Sequence, residues 1–282
     1  MILVTGAGGQ VGSAVLAELR AAGQQVRGVY HSPAKAGQAR AAGQDAVTAD
    51  FSEPGTLPAA FAGGRAMFLL GAMSQQQTVH ELNAVGAAQA AGITRIVKLS
   101  VWRAPDELTP VAWLHRPVEQ ALEASGVRWT FLRPNFYMQN FLRQAAQITA
   151  GSFSQPASSA PISFADVRDV ARVAAHVLTS PGHGGAIYDI TGPEALSYDQ
   201  AAGIFARVLG RPVRFTGLTD EEARAGMLRG GLPSFHVDSL LEVSRAYRDG
   251  GAETVTSTVR DLTGRSPVSF EQFVRDHRAV FA

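Results

Sequence analysis

The most constraining feature of this chain lies within its first dozen residues. A short apolar run, Ile2–Val4, leads into Thr5-Gly6-Ala7-Gly8-Gly9-Gln10-Val11-Gly12, and an alanine-rich helical pattern follows. Gly6, Gly9 and Gly12 give G-x-x-G-x-x-G spacing in strand–turn–helix context. In such a loop the first glycine permits a tight turn, the second lets backbone approach a pyrophosphate, and the third lets helix pack close to strand. The helix N-terminus adds free N–H groups and a partial positive charge. The pattern predicts a dinucleotide site at the extreme N-terminus, with Thr5, Gly6, Gly9, Gln10, Val11 and Gly12 on its phosphate side. A glycine-rich turn with no ligand is the bland alternative, and the units that follow argue against it.

Those units alternate. Continuous apolar runs at residues 2–5, 25–30, 45–48, 66–70, 95–100 and 128–133 are separated by helical patterns at 11–22, 79–91 and 113–125. Continuous rather than alternating runs suit parallel strands buried on both faces. The expected fold class is therefore α/β, a Rossmann-type doubly wound parallel sheet. After Pro134 the rhythm changes. Residues 135–160 read as a helix and a Gly/Ser/Pro-rich loop, 166–179 as an amphipathic helix, and 186–190 as one more strand. From Gly192 onward the pattern is helices and turns, at 197–209, 220–229, 239–249 and 269–281. Ser197 and Ser269 are expected N-caps and Gly210 a helix stop. The expected organisation is a nucleotide-binding domain over 1–134 plus about 162–191. A smaller, discontinuous substrate-binding part is expected from about 135–161 and 192–282.

Composition narrows the function. The chain has 25 basic and 24 acidic residues, a formal net charge of +1, and no basic stripe of the kind a nucleic-acid binder carries. It has no cysteine, which excludes disulfides, thiolate nucleophiles and Cys-ligated metals. His176 and His183 are seven apart, on and after a helix, without ligand-like spacing, and no metal is expected. Met1 runs straight into an apolar segment with no charged leader, and no apolar stretch reaches about 18 residues. The expectation is a cytoplasmic protein with no membrane span, acting on a small molecule, with an isologous homodimer as the possible assembly.

The second strand ends in Tyr30-His31-Ser32-Pro33-Ala34-Lys35. A site for NAD usually places an acid here to hold the ribose 2′-hydroxyl. None is present, whereas His31, Ser32 and Lys35 suit a 2′-phosphate, so NADP(H) is favoured over NAD(H); a solvated Lys35 is the alternative. Asp50 and Phe51 follow the third strand near the adenine edge, though Asp50 is equally suited to capping its own turn. Gly71 and Ser100 follow the fourth and fifth strands and complete the cofactor-binding set.

Catalysis of the usual short-chain type needs a Tyr-x-x-x-Lys pair. The five tyrosines are followed, four residues on, by Ala34, Phe141, Gly192, Ala202 and Gly251, and the only lysines are Lys35 and Lys98. His115 and Glu119 share a helix face where that pair would sit. His115 is the catalytic candidate, donating a proton or positioning a substrate near neutral pH; a structural histidine bonded to Glu119 is the alternative. Arg133 before Pro134 reads as a structural anchor. Met73, Trp102, Phe136, Tyr137 and Phe141, near strand ends, are candidates for an apolar substrate pocket. Core packing is the alternative for the last three.

TGAGGQVG (5–12), the His115-x-x-x-Glu119 pair with TFLRPNFYMQN (130–140), GPEALSYDQ (192–200) and LGRPV (209–213) resemble the NmrA-like group of atypical short-chain dehydrogenase/reductases. The likeness spans nearly the whole chain. Within the group the chain resembles bacterial NAD(P)H:quinone oxidoreductases and triphenylmethane reductases, and LTGRSP (262–267) is similar to the ergot-alkaloid iminium reductases. The related lignan-type reductases carry a catalytic lysine absent here. The resemblance implies a nicotinamide-dependent reductase of quinones, imines or dye-like molecules. Such acceptors need little help from a protein acid, because hydride arrival neutralises or delocalises their charge. The group also includes redox sensors, so a non-catalytic NADP(H)-sensing protein is the second reading.

Overall fold

The computed structural model describes residues 1–282. Its first half runs β1 (Ile2–Val4), α1 (Gln10–Ala21), β2 (Val26–Tyr30), α2 (Pro33–Ala41), β3 (Ala46–Thr48), α3 (Leu57–Phe61), β4 (Ala66–Leu69), α4 (Gln77–Ala90), β5 (Arg95–Leu99), α5 (Pro110–Ala124) and β6 (Arg128–Pro134). Then come α6 (Ala145–Thr149), β7 (Ser152–Pro156), α7 (Val167–Thr179), β8 (Ala186–Ile190), α8 (Tyr198–Leu209), β9 (Arg214–Leu218) and α9 (Asp220–Arg229). The chain closes with α10 (Ser234–Ala246), α11 (Thr258–Thr263), α12 (Phe270–Asp276) and α13 (Arg278–Phe281).

Seven strands form one sheet in the order β3-β2-β1-β4-β5-β6-β8. Leu3 stands opposite Arg27 of β2 and Met67 of β4, and Val97 of β5 opposite Phe68 and Thr130, all in parallel register. At β8 the Gly185 N–H donates to Trp129 O and the Asn135 N–H to Ile190 O. The two strands therefore rise together, as parallel neighbours do. This is the Rossmann-type doubly wound arrangement, with the strand order reversing direction between β1 and β4. No helix is long and apolar enough to cross a membrane.

The chain divides into two compact units. The first contains residues 1–105, 112–133 and 170–188, and the second residues 106–111, 134–169 and 189–282. Residues 162–169, expected with the sheet, belong to the second unit. Isolated bridges join Ile162 to Leu196 and Ala165 to Tyr137, and Asn135 Nδ2 donates to both Ser163 Oγ and Ala252 O at 2.8 Å.

The core of the first unit is mainly aliphatic. Leu3, Leu69, Ile96 and Phe131 from the strands meet Ala84, Val85 and Ala88 of α4 and Val118 and Leu122 of α5. The second unit is built on rings instead. Phe141 lies against Phe153, Phe164, Tyr198, Phe205 and Phe270 with centroids 5.1–6.4 Å apart, mostly edge to face. Gly192 passes so close to this layer that a Cβ would lie 2.2 Å from Phe164 O.

Three features differ from the sequence reading. Residues 152–156 and 214–218, read as loop and turn, form the parallel pair β7–β9, with Phe153 opposite Phe215. The helix expected at 239–249 starts earlier, at Ser234, and ends at Ala246. The last helix is broken at His277, whose backbone leaves the helical region (φ −105°, ψ 17°). Ser197 does cap α8, in a reciprocal capping box with Gln200, and Gly210 ends it in the left-handed region (φ 73°).

Because five rings pack around one side chain, Phe141→Ala should destabilise the protein by about 3–5 kcal/mol. Urea unfolding of the two proteins measures this directly.

Candidate dinucleotide and strand-end site

The glycine loop is built by close approach. Gly6 takes φ 61°, a conformation side chains resist. The Gly9 N–H donates to Gly6 O at 2.9 Å. A Cβ on Gly12 would lie 2.2 Å from that same oxygen, so only glycine lets α1 start there. Helix α1 has no side-chain cap and no acid in its first turn. Helices α4 and α10 likewise start without a side-chain cap, whereas Ser32, Ser197, Thr219 and Ser269 cap α2, α8, α9 and α12. An uncapped helix start over a glycine cradle is what a pyrophosphate needs, so the residues fit the group the sequence implied. Gln10 is exposed at the first position of α1 and Val11 is buried beneath it.

Thr5 is placed differently from a ligand contact. Its buried Oγ1 donates to Leu70 O at 2.9 Å and accepts from the Leu70 N–H at 2.8 Å. It latches the end of β1 to the end of β4.

At the end of β2, Lys35 folds back so that Nζ donates to Gly8 O at 2.9 Å, bringing its charge to the rim of the glycine loop. Ser32 accepts from the Lys35 N–H as the cap of α2. Exposed His31 faces Asp50, Nε2 to Oδ2, at 3.2 Å. Asp50 also caps its own turn, as Oδ1 accepts from the Ser52 N–H at 2.8 Å and from Ser52 Oγ at 2.7 Å. Those bonds, with His31 beyond them, hold its carboxyl below the usual range. Phe51 packs edge-on to Phe61.

The ends of β4, β5 and β6 carry two buried ionic networks that the sequence did not reveal. In the first, Lys98 and Glu81 have no exposed side-chain surface, and Nζ lies 2.9 Å from Oε2. Nζ also donates to Leu99 O and lies 2.8 Å from His115 Nδ1. Glu81 Oε1 accepts the Gly71 N–H at 2.8 Å. In the second, Glu119 accepts two parallel bonds from Arg133, at 2.9 and 2.8 Å, and a third from Arg116 at 3.0 Å. Burial works against the Glu119 charge, but these guanidinium contacts, helped by the neighbouring Ser100 hydroxyl, hold its carboxyl below the usual range. Ser100 is itself buried, with Oγ making no hydrogen bond of normal geometry.

His115 is thus placed by Lys98 and Gln77 rather than by Glu119, which corrects the structural alternative read from their spacing. It is 6% exposed, and burial, then the Lys98 charge, push its pKa well below 6.5. Arg133 is the anchor it was read to be. Met73 and Trp102 lie half-buried in the loops after β4 and β5, and next to Trp102 the Arg103 backbone is held at φ 52°.

In the second unit, Phe136 is half-buried and edge-on to Tyr247. Tyr137 begins a turn of 3₁₀-helix, and burial pushes its phenol up. Phe141 lies fully inside the aromatic core, the packing alternative left open by the sequence. In the first unit, His176 and His183 meet edge to face with ring centroids 5.3 Å apart, but no group of three or more His, Asp or Glu could hold a metal ion.

A parallel sheet of this order, entered through a three-glycine loop with an uncapped helix behind it, defines a dinucleotide-binding α/β protein. The chain belongs to the NmrA-like family, whose model matches residues 1–271. It is 35% identical over 284 residues to the NAD(P)H azoreductase of Xenophilus azovorans, covering all of this chain and 99% of that protein. Two solved structures share the whole architecture. One is the NADPH-dependent quinone oxidoreductase of Escherichia coli complexed with NADPH (TM-score 0.89, 28% identity, 99% of this chain and 100% of that one). The other is the triphenylmethane reductase of Citrobacter sp. complexed with NADP(H) (TM-score 0.88, 26% identity, 98% and 99%).

Two outcomes are expected. Gly12→Ala should abolish dinucleotide binding in a fluorescence titration while circular dichroism retains the fold. For His115, the folded pKa is depressed, so only the unfolded chain binds its proton below about pH 6.5. Its contribution to stability is therefore complete above that pH and is lost as pH falls, by about 1.4 kcal/mol per unit until the folded pKa is reached. Denaturation midpoints of wild type and His115→Gln across pH 5–8 should diverge with that sign.

Proposed function

We propose that this chain is an NADPH-dependent reductase that delivers hydride to an electrophilic, conjugated small molecule such as a quinone, an azo or imine compound, or a cationic dye. The class is that of its relatives, an NAD(P)H-dependent oxidoreductase, and the glycine cradle closed by Gly12 against Gly6 is the observation that carries it. Gly6, Gly9 and the start of α1 would hold the pyrophosphate. Lys35, with His31 and Ser32, would surround a ribose 2′-phosphate, since no acid stands at the end of β2 to favour a free hydroxyl. The bound nicotinamide supplies the hydride, and the protein supplies position and a water-poor setting.

The choice of acceptor follows from what the strand ends lack. His115 is buried, neutral and engaged on both ring nitrogens, so it is poorly suited to deliver a proton. The sequence has no Tyr-x-x-x-Lys spacing to take its place. Acceptors whose charge is neutralised or spread as hydride arrives fit such a site. An unactivated ketone, which needs a proton in the transition state, does not.

Titration with NADPH and NADH, followed by loss of absorbance at 340 nm against quinones, azo dyes and triarylmethane cations, tests the reading. NADPH should bind more tightly than NADH, and at least one acceptor class should turn over. Lys35→Ala should weaken NADPH by roughly 10- to 100-fold, the worth of a lost charge-assisted contact, and leave NADH nearly unchanged. Tight binding with no turnover of any acceptor would favour the redox-sensor reading.

A further inference from the structure

Lys98 is one of only two lysines in the chain. It lies at the end of β5 with no solvent exposure, although a lone buried ammonium is among the costliest groups a protein can hold. Its contacts explain what it does there. An ammonium has three donors and no acceptor, and here it faces Glu81, Leu99 O and His115 Nδ1. Toward His115 it can only donate. Nδ1 must then be the unprotonated, accepting nitrogen, and the ring's one proton must sit on Nε2. On that side Gln77 Nε2 lies 3.1 Å from the ring nitrogen, while Gln77 Oε1 is buried without a partner. A half-turn of the amide places Oε1 as the acceptor, and both ring nitrogens are satisfied. The same Lys98 steadies Glu81, whose carboxylate accepts the Gly71 N–H. The Glu81 side chain packs so closely that a Cβ on Gly71 would lie 2.8 Å from its Cγ and 2.9 Å from Oε1.

We propose that Lys98 is a positioning residue for the strand-end site, fixing His115 as the neutral Nε2–H tautomer and, through Glu81, fixing the backbone of Gly71 after β4. His115 is then a held donor inside the wall of the site rather than a proton source. This deepens the reductase reading and rests on it for its catalytic meaning. The groups that set the ring's proton are Lys98 from β5, Gln77 and Glu81 from α4, and Glu119 one turn along α5, itself committed to Arg133 and Arg116. Burial lowers the Lys98 pKa, and the ion pair with Glu81, with Glu119 beyond it, opposes that and holds the charge on the ammonium.

The test is the long-range ¹H–¹⁵N spectrum of ¹⁵N-histidine-labelled protein, with His115 assigned among the seven histidines by its loss in His115→Gln. Wild type should show His115 protonated on Nε2 alone and unchanged from pH 5.5 to 8.5. Lys98→Met should abolish that signature, leaving Nδ1 protonated or exchanging, and should speed amide exchange of Gly71 at least tenfold. A wild-type ring protonated on Nδ1, or titrating within that range, overturns the proposal even if the variant does not fold. A variant that keeps the wild-type tautomer overturns it as well. The spectrum does not depend on turnover, so failure of every acceptor would sink the reductase reading and leave this assignment standing.

Discussion

The strand ends of this sheet depend on two carboxylates that have lost their water. Glu81 and Glu119 show no exposed side-chain surface, and an ionised carboxylate in that position is tolerable only with a cation and further donors around it. Lys98 and the Gly71 N–H answer the first; Arg133 and Arg116 answer the second. These pairs bind separate segments together. Glu81 joins α4 to β5 and to the turn after β4, while Glu119 joins α5 to β6. An apolar replacement of similar volume would cost less desolvation, but it could not specify which backbone N–H is held or which nitrogen of a histidine keeps its proton.

The two networks also explain how a strand end can be rigid without being reactive. Each charged group is matched to a partner, and the one ring that titrates near neutrality in water is held neutral between a cation and an amide. Such a wall leaves chemistry to whatever is bound in front of it. That agrees with acceptors that draw hydride by their own electron deficiency, and poorly with substrates that require an acid of tuned pKa.

The sheet was legible because its physics is local. Buried parallel strands read as continuous apolar runs, and all six proposed for the first half, with the strand at 186–190, fall on observed strands. The glycine loop was legible because each glycine answers a steric demand. The pair β7–β9 was not. SFSQP and RFTGL contain one or two apolar residues each, and their pairing spans some sixty residues of chain, so no local pattern announces it. The ionic networks escaped for a different reason. A lysine in a strand reads as an edge or solvent-facing residue, and Glu81 lies 17 residues away on another element. The spacing of His115 and Glu119 correctly placed both on one helix face but implied that they bond each other. In the fold each turns to a partner that only tertiary structure supplies, and the bidentate pull of Arg133 wins Glu119.

A chain of contacts links the phosphate loop to those networks. Thr5, immediately before Gly6, is tied by both donor and acceptor to Leu70. The next residue, Gly71, is held by Glu81, and Glu81 is held by Lys98. The backbone around the first glycine is further set by Leu70, whose side chain and carbonyl lie 3.0–3.2 Å from where a Gly6 Cβ would be. The glycine loop and the wall at the ends of β4 and β5 are therefore one connected structure. The non-covalent links are hydrogen bonds and an ion pair made by the buried side chains of Thr5, Glu81 and Lys98, which have no water to fall back on. A disturbance at Lys98 has a short path to the glycine loop through Glu81, Gly71, Leu70 and Thr5, without any change in the residues that would touch the phosphates.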